Sequence, residues 1–160
     1  MLGGVIAGAA REAGAQVHNG GTYVVMEGPA FSTRAESHLY RSWGGDVIGM
    51  TALPEAKLAR EAEICYAILA CSTDYDCWHE TEEAVTTEII VDNLLKNVEV
   101  SRAAARLALQ RLPERLDGPS LNALESALLT SWDIVPEETK RRLDPIIGKY
   151  VRQAVPGGGS

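Results

Sequence analysis

One apolar stretch decides the fold of this chain: Ile64-Cys-Tyr-Ala-Ile-Leu-Ala-Cys-Ser-Thr73, which is followed at once by the acidic and aromatic segment Asp74-Tyr-Asp-Cys-Trp78. Strands that are covered on both faces carry such uninterrupted apolar runs. We therefore predict a central strand over residues 64–73. Open α/β sheets bind ligands beyond the carboxyl ends of their parallel strands, so residues 74–78 mark the expected position of a site.

Strand and helix signals alternate upstream of this stretch. Residues 22–26 (Thr-Tyr-Val-Val-Met) and the run from Asp46 to Met50 have the composition of short strands. Between them, Thr33 and Glu36 form a capping box that predicts a helix ending at Trp43, before two glycines. Further helices are predicted over residues 2–13, 54–63 and 86–112.

The last third of the chain, residues 120–155, is predicted to be helical. Leu121, Leu124, Leu128 and Leu129 would form one apolar stripe, and Pro136 and Pro145 each lie near an expected helix start. The order of the elements predicts an α/β sandwich with parallel strands joined by crossovers. Three strands are fewer than the roughly four to six that a sheet usually contains. Either a partner chain covers the sheet, or part of the parent fold is missing.

Composition and charge exclude several classes of protein. A hydrophobic fraction of 46% is that of a globular chain, and no apolar run is long enough to cross a bilayer. Because 22 Asp and Glu outnumber 15 Lys and Arg, a nucleic acid or an anionic membrane is not an expected partner. The three cysteines and the lack of a basic segment before the apolar start favour free thiols in the cytoplasm.

The pair Asp74 and Asp76 is the main candidate for chemistry. In strand geometry both side chains face the same way, and neighbouring carboxyls can have their pKa values driven apart into one acid and one anion. The alternative is a solvated acidic loop that caps the following helix.

Two other segments carry candidate binding residues. Phe31 and Ser32 follow a Gly-Pro turn next to a helix N-terminus, where a ring could stack on a base, although a turn with a hydrophobic staple is the simpler explanation. Met50 and Thr51 end the second strand and would place an apolar surface beside a hydroxyl group. The histidines are scattered, and we expect no metal site.

Considered together, residues 20–85, GGTYVVMEGPAFSTRAESHLYRSWGGDVIGMTALPEAKLAREAEICYAILACSTDYDCWHETEEAV, closely resemble the S-methyl-5'-thioadenosine phosphorylases of the purine nucleoside phosphorylase superfamily. A weaker resemblance extends to Ile146-Ile-Gly-Lys-Tyr-Val151. Superfamily members that act on 6-oxopurines typically have Glu and Asn where this chain has Ser32 and Asp74. The resemblance therefore implies a 6-aminopurine substrate.

The resemblance also implies a role for each candidate position. Asp74 would protonate the leaving base, while Asp76 supports its amino edge. Phe31 would lie against the adenine with Ser32 as its polar neighbour. The remaining positions are Met50 under the ribose, Thr51 at the phosphate, and Thr87, Ile90 and Val91 around the methylthio group. Thr87 is more polar than the usual aliphatic residue. No cofactor or metal is implied, since phosphate is a co-substrate.

Members of the family begin with a comparably long N-terminal half that carries a phosphate loop, an Arg-His pair and further strands. None of these motifs is in the 160 residues. We expect residues 1–155 to be the C-terminal, purine-binding half of a phosphorylase domain, and residues 156–160 to be a linker or tag-like tail. The implied fold is a partial nucleoside-phosphorylase fold, a three-layer α/β sandwich with a mixed sheet and a helical C-terminal third.

The implied reaction is the phosphorolysis of methylthioadenosine to adenine and 5-methylthioribose 1-phosphate. The implied partners are the nucleoside, phosphate, further copies of the chain in a homotrimer, and a chain that carries the missing half. A broader 6-aminopurine nucleoside phosphorylase is one alternative. A non-catalytic fragment or an engineered oligomeric scaffold is another, and the Pro-Gly-Gly-Gly-Ser160 tail would suit it.

Overall fold

The protein alternates helices and short strands and then becomes helical. The structure, a computed structural model, describes residues 1–78 and 87–154. In these residues the regular elements are α1 (Leu2–Glu12), β1 (Tyr23–Val25), α2 (Arg34–Ser42), β2 (Val47–Gly49), α3 (Ala52–Glu61), α4 (Thr87–Arg111), α5 (Glu137–Arg142) and α6 (Asp144–Ala154). The predicted α/β class is confirmed. Every helix in this part of the chain is too short or too polar to cross a bilayer.

The two strands predicted upstream are present and pair in parallel. Tyr23 lies opposite Val47 and Val25 opposite Gly49. The crossover between them is α2, whose capping box is formed as predicted, and Gly44 ends the helix with a φ of +80°. Because both strands run in the same direction, the residues that follow each of them emerge at the same edge of the sheet.

Small side chains pack α1 against α4. Ala9 and Ala10 of α1 and Ala104 of α4 are almost fully buried. Alanines allow two helix backbones to approach closely, and an ion pair between Arg111 and Glu12 joins the ends of the helices. The long helix predicted before Pro113 is therefore confirmed.

The predicted central strand over residues 64–73 is wrong for this chain. Among the described residues the sheet contains β1 and β2 and no third strand. Ile64, Ile68 and Leu69 are 58%, 44% and 36% exposed, so the run is not covered on both faces. An apolar run becomes a strand only when its N–H and C=O groups find a neighbouring strand, and no described segment pairs with it.

The C-terminal third is helical only in part. A 3-10 turn covers Pro119–Asn122, turns follow, and α5 and α6 begin near Pro136 and Pro145 as predicted. The predicted stripe of Leu121, Leu124, Leu128 and Leu129 does not lie on one helix, and Leu129 is 91% exposed. Those leucines are spaced as on a helix, but no α-helix forms over residues 121–131, so the spacing does not place them on one face.

The chain divides into two compact units, Met1–Glu55 with Ala67–Leu116 and Ala56–Tyr66 with Asp117–Ser160. In the second unit the side chain of Glu63 is 9% exposed. Its carboxylate pairs with Lys149 at 2.5 Å and accepts hydrogen bonds from the Tyr150 hydroxyl and from the Leu124 N–H at 3.0 Å. All candidate site residues lie in the first unit.

Candidate functional site

The loop between β1 and α2 lies against the end of β2. Gly28 has a φ of +67°, and a Cβ built on it would lie 2.8 Å from Sδ of Met50. The loop and Met50 are therefore in direct contact. Two predicted site segments, the Gly-Pro turn and the residue that follows β2, meet at the carboxyl edge of the sheet.

Phe31 and Ser32 lead from this loop into α2. The ring of Phe31 is 86% exposed and presents an open aromatic face. Ser32 is partly buried, and its hydroxyl donates to Sδ of Met26 at 3.4 Å. The prediction of a ring beside a helix N-terminus is confirmed in position.

A capping box fixes the N-terminus of α2 next to these two residues. Oγ1 of Thr33 accepts from the Glu36 N–H at 3.3 Å, and Oε2 of Glu36 accepts from the Thr33 N–H at 2.7 Å. Hydrogen bonds from the Thr33 backbone and hydroxyl hold the pKa of the Glu36 carboxyl below its usual value. These three hydrogen bonds, donated by the Thr33 N–H, the Thr33 hydroxyl and the Glu36 N–H, fix the first turn of α2 directly after Ser32.

Asp76 lies against the buried side of α2. Ser37, 1% exposed, donates its hydroxyl hydrogen bond to Oδ2 of Asp76, and the Cys77 N–H donates to Oδ1 at 2.8 Å. The Cys77 thiol lies 3.5 Å from Oγ of Ser37 and donates to the Ser32 carbonyl at 3.6 Å. The acidic segment and the Phe31 segment are thus joined by side-chain contacts that cross about forty residues of sequence, since Ser37 and Asp76 are 39 apart.

Asp74 is in a different environment from Asp76. It is exposed, the chain bends at its position, and its Oδ1 accepts a hydrogen bond from the Thr73 hydroxyl. The expectation that the two carboxylates share a face assumed strand geometry, which this segment does not adopt. Asp76 accepts hydrogen bonds from α2 and from its own segment. Asp74 accepts its hydrogen bond from Thr73, the residue directly before it.

Helix α4 holds the segment that leads to Asp74. Asn93 donates to the Thr73 carbonyl and Asn97 to the Ser72 carbonyl, each at 2.9 Å. Ser101 adds a contact of 3.1 Å with the Cys71 thiol. These side chains lie on successive turns of one helix face.

The pocket predicted for the methylthio group is only partly described. Val91 lies in the first turns of α4 and is 45% exposed. Thr87 and Ile90 are in the same helix, and their side chains lie outside the described part of the chain. Thr51 follows β2, is exposed, and precedes α3.

The contacts that hold this region together were not predicted from the sequence. They are those of Ser37, Cys77, Asn93 and Asn97, and the contact between Arg41 and Trp78, in which the guanidinium lies 3.4 Å from the ring centroid. Two signals were available. Ser37 is a small polar residue in the middle of an amphipathic helix, and Asn93 and Asn97 have the i, i+4 spacing of one helix face.

Comparison with known proteins places these residues in a family. The model of the "Phosphorylase superfamily" matches residues 2–110. The S-methyl-5'-thioadenosine phosphorylase of Geobacter sulfurreducens is 56% identical over 89% of this chain and 50% of its own length. The chain spans about half the length of the curated relatives it matches.

Solved structures agree with the sequence comparison. A methylthioadenosine phosphorylase from an antarctic soil metagenomic library is 42% identical, with a TM-score of 0.81 over 91% of this chain and 52% of that chain. The methylthioadenosine phosphorylase of Schistosoma mansoni, solved in complex with adenine, is 28% identical, with a TM-score of 0.66 over 84% of this chain and 53% of that chain. With the family model matching most of its length and the strand, loop and helix order in place, the chain belongs to the phosphorylase superfamily.

Proposed function

We propose that this chain supplies the base and ribose side of a methylthioadenosine phosphorylase site and lacks most of the phosphate side. The observation that carries the proposal is the contact between two segments far apart in sequence. The Ser37 hydroxyl contacts Asp76 and the Cys77 thiol contacts the Ser32 carbonyl, so the Phe31-Ser32 segment and the acidic segment are joined. An aromatic face beside a fixed carboxylate suits a flat base that carries an amino group.

The similar proteins support the identity of the base. The relatives described above are named for methylthioadenosine, and the Schistosoma mansoni structure holds adenine. In our proposal Phe31 stacks on the adenine with Ser32 beside it, and Asp76 accepts a hydrogen bond from the exocyclic amino group. Ionised carboxylates are acceptors only, which favours a 6-amino group over a 6-oxo group.

The proposed reaction breaks one bond and forms another at the anomeric carbon. A phosphate oxygen attacks this carbon as the bond to adenine breaks, and the bonding electrons leave with the base. Asp74, exposed and at a bend, acts in its protonated, carboxylic acid form: it delivers that proton to a ring nitrogen of the departing adenine and is left as a carboxylate. Met50 lies under the ribose, Thr51 reaches the phosphate, and Thr87, Ile90 and Val91 surround the methylthio group. The products are adenine and 5-methylthioribose 1-phosphate.

The proposal also covers the rest of the fold. A chain that carries the N-terminal half would pair with residues 64–73 and complete a three-layer sandwich with a mixed sheet, in a cytoplasmic homo-oligomer such as a trimer. The exposed Ile64, Ile68 and Leu69 support this, since pairing with another strand would cover them. In this arrangement residues 1–155 are the purine-binding half of the domain, and residues 156–160, which lie outside the described part of the chain, are a linker.

The test is an assay of adenine release from methylthioadenosine and phosphate. Positioning the phosphate can contribute about 7–11 kcal/mol to such a reaction, so we expect negligible turnover by the chain alone. Adding the separately produced N-terminal half of the Geobacter sulfurreducens relative should give turnover. Adenosine assayed in parallel separates methylthioadenosine preference from a broader 6-aminopurine activity.

Robust turnover by the chain alone would refute the half-site proposal. No turnover after the two halves have formed a complex, shown by co-elution, would favour a non-catalytic scaffold.

A further inference from the structure

The Ser37 hydroxyl is a buried polar group whose hydrogen bond is donated to Asp76. The residue is 1% exposed, lies in the middle of α2, and donates to Oδ2 of Asp76. Burying a hydroxyl costs free energy unless it is hydrogen-bonded, and alanine has a higher helix propensity than serine at this position in α2. The contact with Asp76 therefore accounts for a serine here.

Asp76 is held at both of its oxygens. Ser37 occupies Oδ2 from α2, and the Cys77 N–H occupies Oδ1 from the acidic segment itself at 2.8 Å. Two donors from different elements define the plane of the carboxylate. Each oxygen has a second lone pair, so the group can still accept a hydrogen bond from a ligand.

The same helix holds the aromatic segment. The capping box at Thr33 fixes the first turn of α2, directly after Phe31 and Ser32, and Ser37 lies about one turn further on. The Cys77 thiol adds a contact with the Ser32 carbonyl at 3.6 Å. Helix α2 therefore connects the Phe31-Ser32 segment, at its N-terminus, with Asp76, which Ser37 contacts.

We propose that Ser37 is a positioning residue that sets the preference for a 6-aminopurine by fixing Asp76 against the Phe31-Ser32 segment. This inference rests on the proposed function. Ser37 does not touch the purine, and its effect passes through Asp76. Its loss should reduce discrimination between adenine and hypoxanthine, which differ at the 6-position, more than it reduces binding of purines in general.

The experiment measures dissociation constants of adenine and hypoxanthine for the 160-residue chain by ligand-observed NMR, which detects weak binding. We expect wild type to prefer adenine and Ser37→Ala to lower that preference about fivefold to tenfold, the effect of losing one typical hydrogen bond. Ser37→Cys keeps the volume with a weaker donor and should change the preference in the same direction. Ser42→Ala, in the same helix but bonded to the Leu39 carbonyl, is the matched control and should keep it.

A double mutant separates positioning from packing. In an Asp76→Asn background, Ser37→Ala should cause no further loss of preference, because the two residues act through one contact. In the ligand-free chain, the carboxyl ¹³C shift of Asp76 should move in Ser37→Ala and stay in Ser42→Ala. Thermal unfolding of each variant confirms that it is folded.

Two results would overturn the inference alone: a Ser37→Ala variant that keeps the wild-type preference, or one that weakens both purines equally, as a purely structural residue would. A wild-type chain with no preference for adenine would instead contradict the proposed role of Asp76, and the inference would fall with it.

Discussion

The side-chain amide of Asn93 donates a hydrogen bond to the carbonyl oxygen of Thr73 at 2.9 Å, directly before Asp74. One turn further along α4, Asn97 makes the equivalent bond to Ser72. Side-chain amides thus take the place of a neighbouring strand for two carbonyls in a segment that has no ladder partner among the described residues. The position of Asp74 depends on α4 as well as on its own segment.

Replacing Asn93 tests this dependence. Asn93→Ala should lower the free energy of unfolding by about 1 kcal/mol, because the Thr73 carbonyl loses its donor. Urea denaturation measures the loss, and Asp92→Ala, at an exposed position in the same helix, is the control. Equal stability of Asn93→Ala and wild type would show that water replaces the amide at no cost.

Asp74 is the proposed acid, and its amide variant removes the proton that it would donate. Asp74→Asn should reduce adenine release about 10²–10⁴-fold in the complex with the N-terminal half, the usual contribution of a general acid. The residual activity should shift towards 6-oxopurine nucleosides. Parallel assays with methylthioadenosine and inosine measure both effects, with Asp92→Asn as the control. An unchanged adenine rate would make Asp74 a structural residue.

Glu63 makes the stability of the second unit depend on pH. Burial disfavours the charged carboxylate, but hydrogen bonds from Lys149, Tyr150 and the Leu124 N–H outweigh it, and the pKa of Glu63 lies below its ordinary 4.5. Because the pKa of Glu63 is lower in the folded than in the unfolded chain, the ionised carboxylate stabilises the fold. This contribution to the free energy of unfolding is complete above about pH 4.5 and is lost as the pH falls through the folded pKa.

Glu63→Gln should therefore lower the free energy of unfolding near neutral pH by about 1–3 kcal/mol, because the bonds to a charged acceptor are lost. The difference from wild type should shrink in acid, where wild-type Glu63 is protonated. Urea denaturation across this pH range measures it, and Glu61→Gln, at an exposed position, is the control. A constant difference at every pH would contradict the role of the Glu63 charge.

The apolar face of α4 predicts self-association. Val91, Leu94, Leu95 and Val98 follow helical spacing and are 45%, 50%, 60% and 38% exposed. A patch of this kind is unusual on a monomer, and light scattering should show a species larger than one chain. Leu95→Glu should reduce the mass, whereas Ala105→Glu, also exposed in α4, should not. A monodisperse wild-type monomer would contradict this prediction.

The local signals in the sequence were accurate where short-range chemistry decides the structure. The capping box at Thr33, the glycine that ends α2, Pro136 before α5 and Pro145 in the first turn of α6 each act on residues close to them in sequence. These signals could therefore be recognised directly. The strand at 64–73 could not, because a strand needs a partner elsewhere in the molecule. The stripe of leucines failed for a related reason: helical spacing does not show that a helix forms.

The candidate site follows the same division. The Phe31 loop and Met50 were placed from sequence, since they follow β1 and β2. The acidic segment was expected after a strand over residues 64–73, and that strand does not form. The contact between Ser37 and Asp76 spans 39 residues, and nothing in either segment indicates the other. The roles of Phe31, Ser32, Met50, Asp74 and Asp76, like those of Thr51, Thr87, Ile90 and Val91, remain predictions.

Gly28 links two parts of the proposed site that would otherwise vary independently. Its φ of +67° strains any side chain, and an added methyl group would push first against Sδ of Met50, the flexible end of a side chain. A substitution there should therefore displace Met50 before it disturbs the strands. Met50 is the residue proposed to lie under the ribose, so in a library that diversifies the loop before Phe31, substitutions at position 28 would impair recognition of the sugar. A redesign of the base pocket that changes position 28 would have to vary Met50 in the same variant.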